Sequence, residues 1–215
     1  DLGRCSFAKA FDALAPLIKG LSISPQAVGH RVVHGGEQFT QATRVDASVL
    51  KAIRGVTHLA PLHNPANLDG IEAASFHFPA LPQVAVFDTA FHQTMPEVAY
   101  RYAVESSWQE QGVRKYGFHG SSVSFVAEQA AKEGLGSRIG VAHLGNGCSV
   151  TAVHEGRSVD TSMGMTPLGG VAMGTRSGDM DPGAVLFAMQ TLKLDAKTAL
   201  ASLNKRSGLM ALSGG

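Results

Sequence analysis

The sequence predicts an α/β fold, because short apolar runs typical of strands alternate with segments of helical spacing. Residues 83–87 and 139–142 have the length and composition of buried strands. Residues 6–19 carry apolar side chains at helical spacing, and Gly20 ends that run. With 44% hydrophobic and 16% charged residues among 215, the chain has a globular composition and is long enough to bury a core.

Charge and cysteine content narrow the functional classes. The formal net charge is +1 and the Lys and Arg residues are scattered, so neither a nucleic acid nor a membrane is an expected partner. Cys5 and Cys148 are too few for a disulfide framework, which favours a reducing compartment. The sequence shows no signal-peptide pattern and no long apolar span. We therefore expect a cytoplasmic protein.

Residues 139–161 predict an antiparallel meander. The apolar run 139–142 leads into a turn at 144–147, whose Gly and Asn residues tolerate positive φ. Residues 149–153 and 157–161 follow as strands on either side of a second, tight turn.

The glycines of the first turn allow two interpretations. A dinucleotide-binding fingerprint would open a helix, whereas Gly145 and Gly147 join two strands, and no Gly-Lys-Ser or Gly-Lys-Thr occurs. The turn is therefore either an ordinary hairpin or a loop whose backbone N–H groups hold a phosphate.

Two charged residues on or next to predicted strands are candidate functional residues. The predicted strand 27–34 places Arg31 on the same face as Val33, and a charged residue on a half-buried strand is uncommon unless it is paired or functional. An edge-strand arginine with a carboxylate partner is the structural alternative. Asp88 follows strand 83–87, at the end where α/β folds place their chemistry, and a helix or turn cap is its alternative.

Capping residues predict where several helices begin. Asn64 as the N-cap, with Pro65 at the first helical position, predicts a helix to about Phe76. His63 would then lie just before a helix N-terminus, where an anion is favoured. The other predicted caps are Asp46, Ser121 or Ser122, Asp181 and, for the last helix, Asp195.

Seven short motifs are spread along most of the chain. They are GHRVVHGGE at 29–37, APLHNP at 60–65, VFDTAFH at 86–92, YGFHG at 116–120, AHLGNGCSV at 142–150, DTSMGMTPLGG at 160–170 and MGTRSGDMDP at 173–182. In these motifs and their order the chain resembles the acetate kinase family, which belongs to the actin, Hsp70 and sugar kinase superfamily.

The resemblance implies an actin-like (ribonuclease H-like) ATPase fold with two domains, both incomplete here. Residues 1–87 would be part of an N-terminal acid-binding domain, and residues 88–215 the first part of a C-terminal nucleotide-binding domain. Nothing matches the family's first phosphate loop, and family members continue beyond the last residue. We therefore expect an internal fragment that is inactive by itself.

The resemblance also implies roles for individual residues. The implied catalytic residues are Arg31, Asp88, His119 and Arg176. The implied acid-binding residues are Arg31, Val33, Leu62, His63, Phe118 and Pro167. The implied nucleotide phosphate loop is His143, Leu144, Gly145, Asn146 and Gly147. No residue is expected to ligate a metal directly, and Asp88 would act on Mg²⁺ through water.

One position departs from the family pattern. The family usually has Gly-Thr-Ser-His after the histidine of YGFHG, whereas Gly120 is followed here by Ser121-Ser122-Val123. We interpret the position of Val123 as structural.

The implied activity is reversible transfer of a phosphoryl group from ATP to acetate, giving acetyl phosphate and ADP with Mg²⁺. A propionate kinase and a non-catalytic actin-like nucleotide-binding module are the alternatives. A set of histidines and arginines suits neutralisation of phosphoryl charge, which a pure nucleotide sensor does not need. The expected partners are a short-chain acid, ATP and a second copy of the chain in a homodimer.

Overall fold

The structure of the protein, a computed structural model, describes residues 5–21, 24–61 and 63–214. It divides between Ala90 and Phe91 into two compact units. Both units combine strands with helices, which confirms the predicted α/β class.

The first unit is built on a three-stranded sheet with the order β1-β3-β2. Strand β1 (Val28–Val32) runs parallel to β3 (Gln83–Phe87), and β2 (Thr43–Arg44) pairs with β3 in the antiparallel sense. Because β1 and β3 are parallel and in register, the residues that follow both strands lie at the same edge of the sheet.

The described residues of this unit form three α-helices, α1 (Phe7–Gly20), α2 (Ala47–Gly55) and α3 (Asn64–His77), with a 3₁₀ helix at Thr57–Leu59. Helix α3 packs on β1, and α1 and α2 pack on α3. Side chains from the strands and from α2 and α3 form one apolar core that includes Val32, Ile53, Ile71 and Phe87. This core fixes the sheet edge at which Arg31 and Asp88 lie.

The second unit contains the predicted meander. Strands β4 (Arg138–Leu144), β5 (Cys148–His154) and β6 (Arg157–Thr161) form an antiparallel sheet in sequence order, which confirms the meander. At the turn between β5 and β6, Glu155 has φ 51° and Gly156 has φ 73°. Two successive residues with left-handed backbone are what a tight hairpin turn requires.

The helices of the second unit lie before and after this sheet. A 3₁₀ helix follows β3 at Ala90–Thr94. The α-helices are α4 (Glu97–Tyr100), α5 (Ser106–Glu110), α6 (Gly120–Lys132), α7 (Pro182–Thr191), α8 (Ala196–Lys205) and α9 (Gly208–Leu212). None of the helices in the described ranges is long and apolar enough to cross a bilayer.

Helix α6 packs its apolar side on the sheet. Val123 is fully buried in a cluster with Ala127, Val141 and Val153. At the position where the family usually carries its second histidine, this chain therefore has a core residue whose burial stabilises the helix against the sheet.

Three predicted N-caps are confirmed, because in each the side chain of an aspartate accepts hydrogen bonds from the first turn of its helix. Asp46 accepts hydrogen bonds from the backbone N–H groups of Ser48 and Val49. Asp181 caps α7, and Asp195 caps α8. Asp195 does not open the last helix, however, because α9 follows α8.

Two predicted N-caps were wrong, those of α3 and α6. Helix α3 begins at Asn64 with His63 at the cap position, because the Asn64 side chain is bound to the backbone of His34 instead. Helix α6 begins at Gly120, so Ser121 and Ser122 lie inside its first turn. The cap position belongs to His119, whose backbone is left-handed.

Candidate functional site

Arg31 and Asp88 form a two-point ion pair at the sheet edge of the first unit. Arg31 Nε donates to Asp88 Oδ1 at 3.0 Å, and Arg31 Nη2 lies 2.5 Å from Asp88 Oδ2. The arginine side chain is 62% exposed, whereas the carboxylate is 2% exposed. Such fork geometry is the strong form of an arginine–carboxylate pair. The carboxylate thus orients a guanidinium that still faces solvent.

The backbone after β1 is held by two asparagines of α3. Asn67 Oδ1 accepts from the N–H of Val33 at 3.0 Å, and Asn64 bonds both the N–H and the C=O of His34. These bonds replace strand pairing, so β1 ends at Val32, earlier than predicted. The alternation that placed Val33 on the face of Arg31 ends there too, and Val33 is buried whereas Arg31 is exposed.

Of the other predicted acid-binding residues in this unit, His63 is partly buried at the cap of α3. Leu62 lies outside the described residues. The unit therefore brings Arg31, near the end of β1, and Val33 and Asp88, which directly follow β1 and β3, to the same edge of the sheet.

In the second unit, the loop from β4 to β5 is a three-residue turn, because Leu144 pairs with Cys148. Neither Gly145 nor Gly147 has a positive φ. The predicted reason for these glycines, a left-handed backbone, is therefore wrong. At Gly147 the reason is space: an added Cβ would lie 3.2 Å from Arg176 Nη1 and 3.2 Å from His119 Nε2.

Two histidines stack beside this turn. The rings of His119 and His143 have centroids 4.0 Å apart and planes inclined by 21°. His119 Nδ1 lies 2.9 Å from Ser149 Oγ, and His143 Nδ1 lies 3.0 Å from Ser122 Oγ. Each hydroxyl fixes the orientation of one ring, and Nε2 of His119 is the nitrogen beside Gly147.

Arg176 approaches the same turn from the loop that follows β6. Its Nη1 donates to the Pro167 carbonyl at 3.0 Å and lies 3.8 Å from Met173 Sδ. The side chain of Asn146 also lies next to this loop, because a Cβ added to Gly174 would lie 3.1 Å from Asn146 Oδ1. The loop therefore presents a guanidinium to the backbone of the β4–β5 turn.

The second unit thus gathers most of its predicted site residues around one glycine-rich turn: His119, His143, Asn146, Gly147, Pro167 and Arg176. Leu144 is 75% exposed, so its side chain extends away from this cluster. Phe118 is buried, and its carbonyl is bound by His92.

Burial lowers the pKa of two histidines, one in each unit. The pKa of His34 falls to about 4, chiefly because the ring is buried and also because of the charge of His58. The pKa of His92 falls to about 4 through burial, although its bond to the Phe118 carbonyl acts in the opposite direction. Both rings are therefore neutral at pH 7.

These two histidines predict acid instability. Since their folded pKa lies below the unfolded value of 6.5, the unfolded state binds more protons between pH 6.5 and 4. The free energy of unfolding should fall by on the order of 3 kcal/mol per histidine as the pH drops through that window. Thermal unfolding of the parent and of His92→Gln at pH 7 and 4.5 measures this.

In that experiment, the melting temperature of His92→Gln should fall less between pH 7 and 4.5 than that of the parent. Thr151→Val, which removes a buried hydrogen bond to Thr161 and no titratable group, serves as the control and should leave the pH dependence unchanged. Equal pH dependence in the parent and in His92→Gln would contradict the role of burial at His92.

Several residues that build the site were missed in the sequence. His92 lies in the motif VFDTAFH, which was a usable signal. Ser122 and Ser149 orient the two stacked rings, yet an isolated serine carries no signal of its own. Asn64 was predicted to be a helix cap and not a partner of the His34 backbone, because Asn-Pro is the usual pattern of a helix start.

Residues 7–215 match the sequence profile described as the Acetokinase family. The chain belongs to the acetokinase family. It is 57% identical to an acetate kinase of Deinococcus deserti over 98% of this chain and 54% of the relative. It is 58% identical to an acetate kinase of Deinococcus radiodurans over 91% of this chain and 50% of the relative. The chain thus spans about half the length of these curated relatives.

Solved structures of acetokinase relatives share the fold. The acetate kinase of Porphyromonas gingivalis has a TM-score of 0.90 at 42% identity, covering 96% of this chain and 55% of that one. A propionate kinase of Francisella tularensis subsp. tularensis has a TM-score of 0.92 at 46% identity, with the same coverage of 96% and 55%. The fold predicted from the motifs is therefore confirmed.

Proposed function

We propose that the full-length protein is an acetate kinase, which transfers a phosphoryl group reversibly between ATP and acetate. The observation that supports this most is the approach of His119 Nε2 and Arg176 Nη1 to the backbone of Gly147. A hydrogen-bonding ring, a permanent cation and a glycine whose backbone has no Cβ make a site suited to a multiply charged phosphoryl group. Membership of the acetokinase family agrees with this chemistry.

The reaction leaves the protein little covalent work. It needs the attacking oxygen, phosphorus and leaving oxygen in line, and it needs the charge on the equatorial oxygens neutralised. In our proposal Arg176 donates to these oxygens through its fork. We assign the Ser149 hydroxyl as the hydrogen-bond donor to Nδ1 of His119, which lies 2.9 Å away; Nε2 would then carry the ring proton and donate to another oxygen.

The nucleotide phosphates are assigned to the β4–β5 turn. Backbone N–H groups and the amide of Asn146 would hold them, and the residues of this loop are His143, Leu144, Gly145, Asn146 and Gly147. The close approach at Gly147 fits this assignment, because a side chain there would occupy the space beside His119 and Arg176.

In the first unit, Arg31 would bind the transferring phosphoryl or acyl group. Mg²⁺, when bound with ATP, neutralises phosphate charge. Both oxygens of Asp88 already accept hydrogen bonds from Arg31, which fits action on hydrated Mg²⁺ through water and not direct ligation. Asp88 would therefore orient Arg31 and the hydrated ion together.

The acid-binding residues are assigned separately in each unit. Val33, Leu62 and His63 would serve the acid and its phosphoryl group in the first, and Phe118 and Pro167 would face the acid in the second. Residues 1–87 are proposed to belong to the acid-binding domain and residues 88–215 to the nucleotide-binding domain. The division between compact units lies three residues later, after Ala90.

A coupled assay of ADP formation by the full-length protein tests the proposal. Acetate, propionate and a reaction without acid are compared, each with Mg²⁺ and ATP. Acid-dependent ADP and acetyl phosphate would support the kinase. ATP binding without acid-dependent turnover would favour the nucleotide-binding module, and a higher kcat/KM for propionate would favour the second candidate, suggested by the Francisella relative.

Val33 gives an expectation for acid selectivity. Its place in the acid pocket is implied by the family resemblance and not by a shared strand face with Arg31. In that pocket a valine would leave room for a methyl and crowd an ethyl, so acetate should be preferred, and Val33→Ala should lower KM for propionate. One methylene in an apolar pocket is worth about 1–3 kcal/mol, so propionate should remain a slow substrate of the parent. Steady-state kinetics with both acids measure the ratio of kcat/KM values.

The control is Val49→Ala, which removes a buried valine from α2 in the same unit. It should lower stability without changing the ratio of the two acids. An unchanged ratio in Val33→Ala would remove Val33 from the acid pocket.

We also propose that the protein is a cytoplasmic homodimer without nucleic-acid or membrane partners. The net charge of +1 and two unpaired cysteines agree with the location and with the small-molecule substrates. Light scattering of the purified full-length protein measures the oligomeric state.

A further inference from the structure

His92 is a fully buried side chain to which no role in the reaction has been given. It lies in the 3₁₀ helix after β3, and both ring nitrogens are engaged. Nε2 is 2.9 Å from the carbonyl oxygen of Phe118, and Nδ1 is 2.9 Å from Ser158 Oγ. The ring therefore links β6 to the turn that precedes α6.

The two partners determine the tautomer. A carbonyl oxygen can only accept, so Nε2 of His92 must carry the proton, and Nδ1 then accepts from the hydroxyl of Ser158. The lowered pKa of about 4 keeps this ring neutral. The backbone of Ser158 is held in turn, because Thr94 Oγ1 donates to its carbonyl at 2.9 Å.

The turn that His92 contacts leads into a residue with an unfavourable backbone conformation. His119 has φ 61° and ψ 16°, a left-handed conformation that costs a non-glycine residue about 1–3 kcal/mol unless its surroundings impose it. His92 contacts the two preceding residues: it bonds the Phe118 carbonyl, and a Cβ added to Gly117 would lie 2.7 Å from His92 Cδ2.

We propose that His92 is a positioning residue, which holds the turn at Phe118 so that Nε2 of His119 faces the backbone of Gly147. Its hydrogen bond fixes the peptide that enters His119, and its ring occupies the space beside Gly117. Ser149 then fixes the ring of His119 from the other side. The expected effect on kcat rests on the proposed function, whereas the expected effect on the position of the His119 ring does not.

The test uses three variants of the full-length protein. His92→Phe keeps an aromatic ring, which is somewhat larger, and removes both hydrogen bonds. His92→Gln keeps an amide donor near the position of Nε2. Thr151→Val is the matched control: it removes a buried hydrogen bond to Thr161 in the same sheet, at 2.8 Å, but keeps both hydrogen bonds of His92 and the Thr161 side chain that lies beside Gly117.

We expect His92→Phe to lower kcat by on the order of 100-fold, because a misplacement of about 1 Å has that effect, with KM for ATP little changed. His92→Gln should recover most of the loss, and Thr151→Val should keep the parental kcat. A purely structural His92 would lower the melting temperature in His92→Phe and Thr151→Val alike while kcat per folded molecule stayed parental, which would overturn the proposal.

A second readout does not depend on activity. The ring resonance of His119, assigned by its loss in His119→Ala, should shift in His92→Phe and stay in place in Thr151→Val. An unshifted resonance in folded His92→Phe would refute the positioning role. If the parent forms no acyl phosphate, the proposed function fails, and this resonance still decides whether His92 positions His119.

Should His92→Phe not fold, Ser158→Ala takes its place. That variant removes only the donor to Nδ1, so we expect a smaller shift of the His119 resonance in the same direction. No shift in the folded Ser158→Ala protein would count against the proposal.

Discussion

Arg176→Ala in the full-length protein should lower kcat by roughly 100- to 1000-fold while the affinity for ATP changes little. The reason is that the guanidinium lies at the Gly147 backbone, held by the Pro167 carbonyl. In the proposed reaction, charge on the transferring group develops beside it. Loss of one preorganised donor of this kind costs about 2.7–4 kcal/mol. An interaction made mainly in the transition state lowers kcat and kcat/KM together.

Two further variants sharpen this measurement. Arg176→Lys keeps the charge but loses the planar fork, so it should restore only part of kcat. Arg138→Ala is the control, because Arg138 is exposed at the end of β4 opposite the turn. Near-parental kcat in Arg176→Ala, or full activity in Arg176→Lys, would contradict the assigned role.

Gly147→Ala should lower the activity as well. The added methyl would lie 3.2 Å from both Arg176 Nη1 and His119 Nε2, closer than carbon atoms normally approach such groups. Both side chains must move by a few tenths of an ångström. Since a displacement of about 1 Å in a catalytic group costs on the order of 100-fold, we expect a loss of roughly 10-fold. We expect a lower kcat and weaker ATP binding, measured by steady-state kinetics and by calorimetry.

Gly140→Ala is a closely matched control. Gly140 lies in β4 of the same hairpin, its φ is not positive, and an added Cβ would meet no atom within 4 Å. The same substitution should therefore leave activity intact there. If Gly147→Ala were as active as Gly140→Ala, the crowding at the turn would have no functional importance.

The parts of the fold that could be predicted from the sequence are those that depend on residues close to one another along the chain. The meander follows from short apolar runs separated by turn residues, and all three strands form. The caps at Asp46, Asp181 and Asp195 follow from local side-chain chemistry.

The remaining features depend on contacts between distant residues. His92 and Phe118 are 26 positions apart, and His119 and Ser149 are 30 apart. Asn64 bonds the backbone of His34 across 30 positions, which overrides its preference for the cap. Local patterns carry no information on such pairs, so the left-handed backbone of His119 could not be predicted either.

The pair of Arg31 and Asp88 has a consequence for the thermodynamics of ligand recognition. An exposed arginine normally samples many rotamers, and its immobilisation costs about 2 kcal/mol of side-chain entropy. In this protein the buried carboxylate restricts the guanidinium already in the folded chain. The loss of rotamer freedom therefore occurs on folding. If Arg31 binds an anionic group as proposed, that binding costs little further side-chain entropy.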